Sequence, residues 1–113
     1  MTRKPSAKSE RIFKQNFYGA INHMERWGVD EPFDAWGTVC NRDDEYICRR
    51  TIDDVLAICD KHERELNWQI RHGFEPWKSE TIQRKALRIT RNTCENWIKR
   101  EAEIEAECAA LWR

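Results

Sequence analysis

Apolar residues recur at three- and four-residue steps through most of the chain, a pattern typical of amphipathic helices. Residues 9–27 contain the first such segment. Its apolar positions are Ile12, Phe13, Phe17, Ala20, Ile21, Met24 and Trp27. Gly28 follows directly, and a glycine in that place commonly ends a helix. The pattern therefore predicts a first helix from Ser9 to Trp27.

A second periodic segment begins at Thr51, which together with Asp54 has the form of a helix-capping box. The segment continues as far as His72. Its helically spaced positions are Ile52, Val55, Leu56, Cys59, Glu63, Leu66 and Ile70. Gly73 is the predicted stop. Between these two helices, Pro32 suits a first helical turn and predicts a short helix over residues 33–39.

Turn-forming residues are scarce, since the whole chain has only four Gly and three Pro. A multi-stranded sheet needs more turns than these residues provide. We therefore predict an all-α fold, a small bundle of three main helices plus one short helix. The 113 residues allow one domain, which we assign to residues 9–113. Residues 1–8 form a predicted flexible basic arm.

Charged residues make up 35% of the chain and the mean hydropathy is −0.90, but six Trp and four Phe indicate a folded core. The net charge is zero and unevenly spread. Residues 1–14 hold five basic and one acidic group, residues 25–65 six basic and twelve acidic, and residues 77–100 seven basic and two acidic. This distribution is compatible with a local nucleic-acid footprint, and equally with pairing to a protein partner or a second copy.

The stretch "ALRITRNTCENWIKRE", residues 86–101, supports two interpretations. In the first, one unbroken helix serves as a packing or dimerisation element. Its apolar stripe would contain Ile82, Ala86, Ile89, Thr93, Trp97, Ile104, Cys108 and Leu111. In the second, the helix breaks near residues 88–90, because β-branched residues and Asn are poor helix formers and Thr90 can cap a new helix.

The segment "LRITRNTCENWI" also resembles the helix-turn-helix of phage and bacterial DNA-binding regulators, over residues 79–101. Thr90 occupies the cap position, Cys94 the small buried position and Trp97–Ile98 the packing pair. The turn position, usually Gly, is Arg88, and a position usually Ala is Gln83. The resemblance implies contact with double-stranded DNA, for which arginine and asparagine can read base edges and lysine can bind phosphates. The implied contacts are Arg88, Arg91, Asn92, Glu95, Asn96, Lys99 and Arg100.

Metal binding has little support in the sequence. Cys59 and His62 have ligand-like spacing, but Cys40 and Cys48 are separated by seven residues, too many for a zinc knuckle. Five cysteines without a secretion signal indicate reduced thiols and a cytoplasmic protein. No apolar run reaches the length of a membrane-spanning helix. We predict no metal, no cofactor and no membrane contact.

The sequence also offers no catalytic constellation, because the histidines have no acid or nucleophile in pattern with them. We therefore predict a small, non-enzymatic regulatory or adaptor protein of the phage or mobile-element type, without a small-molecule substrate. Its C-terminal half would contact DNA, and tryptophans would anchor a protein partner or homodimer. The candidate anchors are Trp36, Trp68, Trp77 and Trp112. The alternative is a pure protein-binding inhibitor or redirector of a larger machine.

Overall fold

A computed structural model of the chain describes residues 4–30 and 49–112. These residues form three α-helices and no strand: α1 (Ala7–Trp27), α2 (Arg49–Arg71) and α3 (Glu80–Leu111). The prediction of an all-α bundle with three main helices is confirmed. The predicted short helix at residues 33–39 and the candidate anchor Trp36 lie outside the described residues.

Helix α1 begins two residues earlier than predicted. The side-chain oxygen of Ser6 accepts a hydrogen bond from the backbone N–H of Ser9 (3.1 Å) and so caps the helix. Ala7 and Lys8 consequently belong to α1 and not to a flexible arm. At the other end Gly28 adopts φ 107° and donates its N–H to the carbonyl of Met24 (2.9 Å), so it ends the helix as predicted.

Helix α2 differs from the prediction at its start. Thr51 lies inside the helix and Asp54 is buried, where it accepts a hydrogen bond from the hydroxyl of Ser9 (3.1 Å). The predicted capping box is therefore wrong, because Asp54 is oriented toward α1. The predicted stop at Gly73 is confirmed. Gly73 (φ 77°) donates to the carbonyl of Ile70 and Phe74 donates to that of Gln69, the two bonds of a Schellman motif.

Helix α3 runs without interruption for 32 residues. Of the two interpretations of residues 86–101, the unbroken helix is therefore confirmed and the break near residues 88–90 is wrong. The hydroxyl of Thr90 donates to the carbonyl of Ala86, and that of Thr93 donates to the carbonyl of Ile89, each at 2.9 Å. Threonine in a helix interior can satisfy its hydroxyl in this way instead of capping a new helix. Thr90 is also fully buried, and packing of this kind overrides a weak intrinsic preference.

The relative directions of the helices follow from their contacts. Ser9 meets Asp54, and further along both helices Phe17 meets His62, so α1 and α2 are parallel. Helix α3 is antiparallel to α2, since Arg84 contacts Asn67 whereas Arg91 contacts Asp60. The C-terminal end of α3 therefore lies at the end of the bundle where α1 and α2 begin. The core between the helices contains Ile12, Phe13, Phe17, Ala20, Ile21, Met24, Ile52, Val55, Cys59, Ala86, Leu87, Cys94 and Trp97.

Candidate binding surfaces

Helix α3 carries one stripe of regularly spaced positions along its length, which we call the seam. Counting from Gln83, the seam positions follow alternately at four and three residues, a heptad spacing. The first five are Gln83, Leu87, Thr90, Cys94 and Trp97, and all are buried in the bundle. The remaining four are Glu101, Ile104, Cys108 and Leu111. The same spacing thus continues beyond Trp97, with the charged Glu101 as its first position there.

Beyond the bundle the seam is open. We call residues 101–112 the overhang: from Ala102 to Trp112 every residue is exposed. Ile104 is 43% exposed, Leu111 83% and Trp112 90%. The overhang also contains four glutamates and no basic residue. At about 1.5 Å per residue it spans about 17 Å of acidic helix with an exposed apolar stripe.

The residues predicted to contact DNA lie on the outer face of α3, with one exception. Six of them are exposed and make up what we call the polar ridge: Arg88, Asn92, Glu95, Asn96, Lys99 and Arg100. Arg100 also pairs with Glu103 at 3.3 Å. The ridge carries three positive charges and one negative charge, and α3 continues through residues 88–90 without the turn of a helix-turn-helix.

Arg91 is the exception, because it connects α3 to α2. Its guanidinium donates to Asp60 at 2.9 Å and lies 2.5 Å from Glu63. Partial burial opposes its charge, but the hydrogen bonds to Glu63 and Asp60 outweigh this and raise the pKa of Arg91 above its usual range. Arg91 is therefore not free on the outer face as predicted, because two carboxylates of α2 hold it, and its contact with DNA stays a prediction.

Gln83, which stands where the helix-turn-helix resemblance calls for Ala, bridges two elements. Its side-chain oxygen lies 2.9 Å from Nε2 of His62, and its side-chain nitrogen donates to the carbonyl of Lys78 at 2.9 Å. Since the amide oxygen only accepts, this geometry assigns the donor proton to Nε2 of His62. The imidazole also packs on the ring of Phe17, with 4.5 Å between centroids. His62 is thus part of the packed interior.

The positions of Cys59 and His62 do not favour zinc binding by this pair. Cys59 is buried in the core and His62 is engaged by Gln83. In residues 4–30 and 49–112, no three His, Cys, Asp or Glu side chains are grouped so that they could hold a metal ion. Cys40 and Cys48 lie outside the described residues.

The buried thiols are held in their neutral form. Burial raises the pKa of Cys59 to about 12, and it does the same for Cys94. Cys108, in contrast, is exposed on the overhang. The two buried cysteines therefore act as small core residues at neutral pH.

The described tryptophan anchors are exposed but do not form one surface. Trp68 stacks on His72 and Phe74, with ring centroids 4.3 and 5.5 Å apart, and Trp77 meets Tyr18 edge-on at 5.8 Å. Both tryptophans lie near the end of the bundle where α2 ends and α3 begins. Trp112 lies at the opposite end, on the overhang. Their roles as anchors stay a prediction.

A further surface was missed by reasoning from the sequence. We call it the basic groove: it lies between α1 and α2 and has a volume of about 640 Å³. Its charged lining consists of Lys4, Lys14, Lys61, Arg64 and Glu10, and its apolar lining includes Phe13, Tyr18 and Ile58. The basic N-terminal segment was visible in the sequence, but nothing there indicated that it would meet Lys61 and Arg64 of α2.

Comparison of the chain with protein-family models, curated proteins and solved structures gives no significant match. The described helices also include none with both the length and the apolar run that a membrane crossing requires.

Proposed function

We propose that this chain is a non-enzymatic regulatory or adaptor protein that acts by binding protein through the overhang of α3. The observation that carries the proposal is the continuity of the heptad spacing: the five buried positions are followed by the partly buried Glu101 and then by Ile104, Cys108 and Leu111, which are exposed. A heptad stripe is the part of a helix that buries itself against another helix. Its exposure on the overhang supports a role in binding.

Helix energetics support the same proposal. An isolated helix shorter than about 12–15 residues is marginal in water, and most helical stability in proteins comes from packing of an apolar face. The overhang extends α3 well past its packed part, and none of the described residues buries the stripe. A partner that covers Ile104 and Leu111 would remove their apolar surface from water, which is favourable.

DNA contact through the polar ridge is the second candidate function. The observation in its favour is that six of the seven predicted contacts are exposed along α3. A continuous helix can enter the major groove without a preceding turn. Against it, Arg91 is engaged by Asp60 and Glu63, and Glu95 places a negative charge within the ridge.

Salt-dependent binding to duplex DNA separates the two functions. A protein that neutralises several phosphates loses roughly a thousandfold in affinity between about 50 and 200 mM salt. We expect no binding to a mixed-sequence duplex at about 50 mM salt. Tight binding at low salt that disappears steeply, and weakens when Lys99 and Arg100 are replaced by Gln, would favour DNA contact.

Site-specific photo-crosslinking tests the protein-binding proposal directly. A photoreactive phenylalanine analogue placed at Ile104 lies on the seam, whereas the same group at Ala106 lies on the opposite face of the overhang. In host cells, we expect protein crosslinks from position 104 that survive nuclease treatment and are much weaker from position 106. Equal crosslinking from both positions, or products that disappear with nuclease, would contradict the proposal.

A further inference from the structure

We infer that the partner covering the overhang is a second copy of this chain, and that two copies exchange overhangs, each inserted into the basic groove of the other. The inference rests on the proposed function, since it identifies what the same overhang binds. Three properties of the two surfaces carry it: charge, apolar content with length, and position at the same end of the bundle.

The charges of the two surfaces are complementary. Glu105 and Glu107 flank the seam of the overhang, on either side of its stripe. Among the charged residues of the groove, four are basic and Glu10 alone is acidic. Lys61 and Arg64 are both exposed on α2 and can meet glutamates that enter the groove. Oppositely charged patches of this kind favour association and fix its register.

The apolar parts and the lengths also match. The overhang offers Ile104, Leu111 and Trp112, and the groove offers Tyr18 and the partly buried Ile58 as an apolar lining between its charges. On α1 the lining of the groove runs from Glu10 to Tyr18, about 13 Å at about 1.5 Å per residue, and Lys4 and Pro5 extend it toward the overhang's length of about 17 Å. One overhang can therefore occupy the groove along α1.

Position allows both contacts to form at once. The overhang projects from the end of the bundle where α1 and α2 begin, and the lining of the groove starts near this same end, at Lys4 and Pro5, and extends along the helices to Tyr18 and Arg64. Two copies placed end to end about a two-fold axis consequently put each overhang beside the other copy's groove. A two-fold pair of this kind is closed, because each surface is used once in each copy.

Charge reversal tests the exchange. Wild-type protein should sediment as a concentration-dependent dimer, and added salt should weaken it, because the contacts are partly electrostatic. Glu105→Lys/Glu107→Lys places positive charge on the overhang, and Lys61→Glu/Arg64→Glu places negative charge in the groove. Each variant enters the dimer twice, so we expect each to raise the dimer dissociation constant by at least about tenfold.

Mixing the two variants provides the rescue. In an equimolar mixture, the positive overhang meets the negative groove, and the unchanged overhang meets the unchanged groove, so a heterodimer should form where neither variant pairs with itself. This also shows that both variants are folded. Asp30→Lys/Glu75→Lys, with the same charge change at the other end of the bundle, should dimerise like the wild type.

Three results would overturn the exchange: a wild-type protein that stays monomeric at about 100 µM, species larger than a dimer, or variants whose mixture does not pair. A monomeric protein that still crosslinks to a different protein from position 104 would sink only the exchange. Loss of selective crosslinking at position 104 would sink the proposed function itself.

Discussion

The hydroxyl of Thr90 donates a hydrogen bond to the carbonyl of Ala86, 2.9 Å away and one turn earlier in α3. The same hydroxyl could have capped a new helix, and which bond it makes decides the architecture of the C-terminal half. Because Thr90 is fully buried against the rest of the bundle, the helix continues through it. The seam and the overhang both depend on this continuity.

Substitution of Arg88 tests the continuity by its effect on stability. Arg88 is exposed in the middle of α3. In a continuous helix, Arg88→Gly should lower the free energy of unfolding by about 1 kcal/mol relative to Arg88→Ala, since glycine is the poorer helix former. If residue 88 occupied a left-handed turn instead, glycine would be the more stable of the two. Urea unfolding of both variants measures the difference.

The contact between Gln83 and His62 gives a second prediction. Gln83→Leu keeps a similar volume but leaves Nε2 of His62 and the carbonyl of Lys78 without the amide that joins them. We expect the free energy of unfolding to fall by about 1–3 kcal/mol, the usual cost of buried polar groups that lose their partners.

The matched control for Gln83 is Gln15→Leu on the half-buried side of α1. The free energy of unfolding of this variant should lie within about 0.5 kcal/mol of that of the wild type, as is usual for substitutions away from buried polar contacts. Equal effects at the two positions would show that the bridge from Gln83 to His62 contributes nothing to stability.

The two buried thiols predict how stability depends on alkaline pH. Their pKa is about 12 in the fold against 9.0 for a free thiol, so above pH 9 the unfolded chain ionises while the native fold does not. The unfolded state then binds fewer protons, and stability falls as pH rises. Each thiol contributes up to about 1.4 kcal/mol per pH unit. Below pH 9 this contribution is fully present.

Urea unfolding between pH 7 and pH 10.5 measures this slope. Lysines and tyrosines also titrate in that range, so the comparison is with Cys94→Ala. In this variant the free energy of unfolding should fall less steeply with pH, by an amount equivalent to about one proton fewer released on unfolding. An unchanged slope in that variant would mean that Cys94 is already ionised, or open to water, in the native protein.

The periodic parts of the fold could be predicted from the sequence, because the apolar face of α1 and the stop at Gly73 depend on neighbouring residues. The hydrogen bond that Thr90 makes could not be predicted. The local sequence allows its hydroxyl either to cap a new helix or to bond to the carbonyl of Ala86, and only packing against distant residues selects the second. The contact between Gln83 and His62 and the basic groove could not be predicted from the sequence for a related reason. Each is made by residues from helices that lie far apart in the sequence.

The backbone ¹³C chemical shifts of α3 in the intact protein test the central claim most directly, because both the seam and the overhang require one helix. We predict uninterrupted helical shifts from Glu80 through Thr90 to at least Cys108. Non-helical shifts at residues 88–90, or random-coil shifts throughout residues 101–112, would contradict the account.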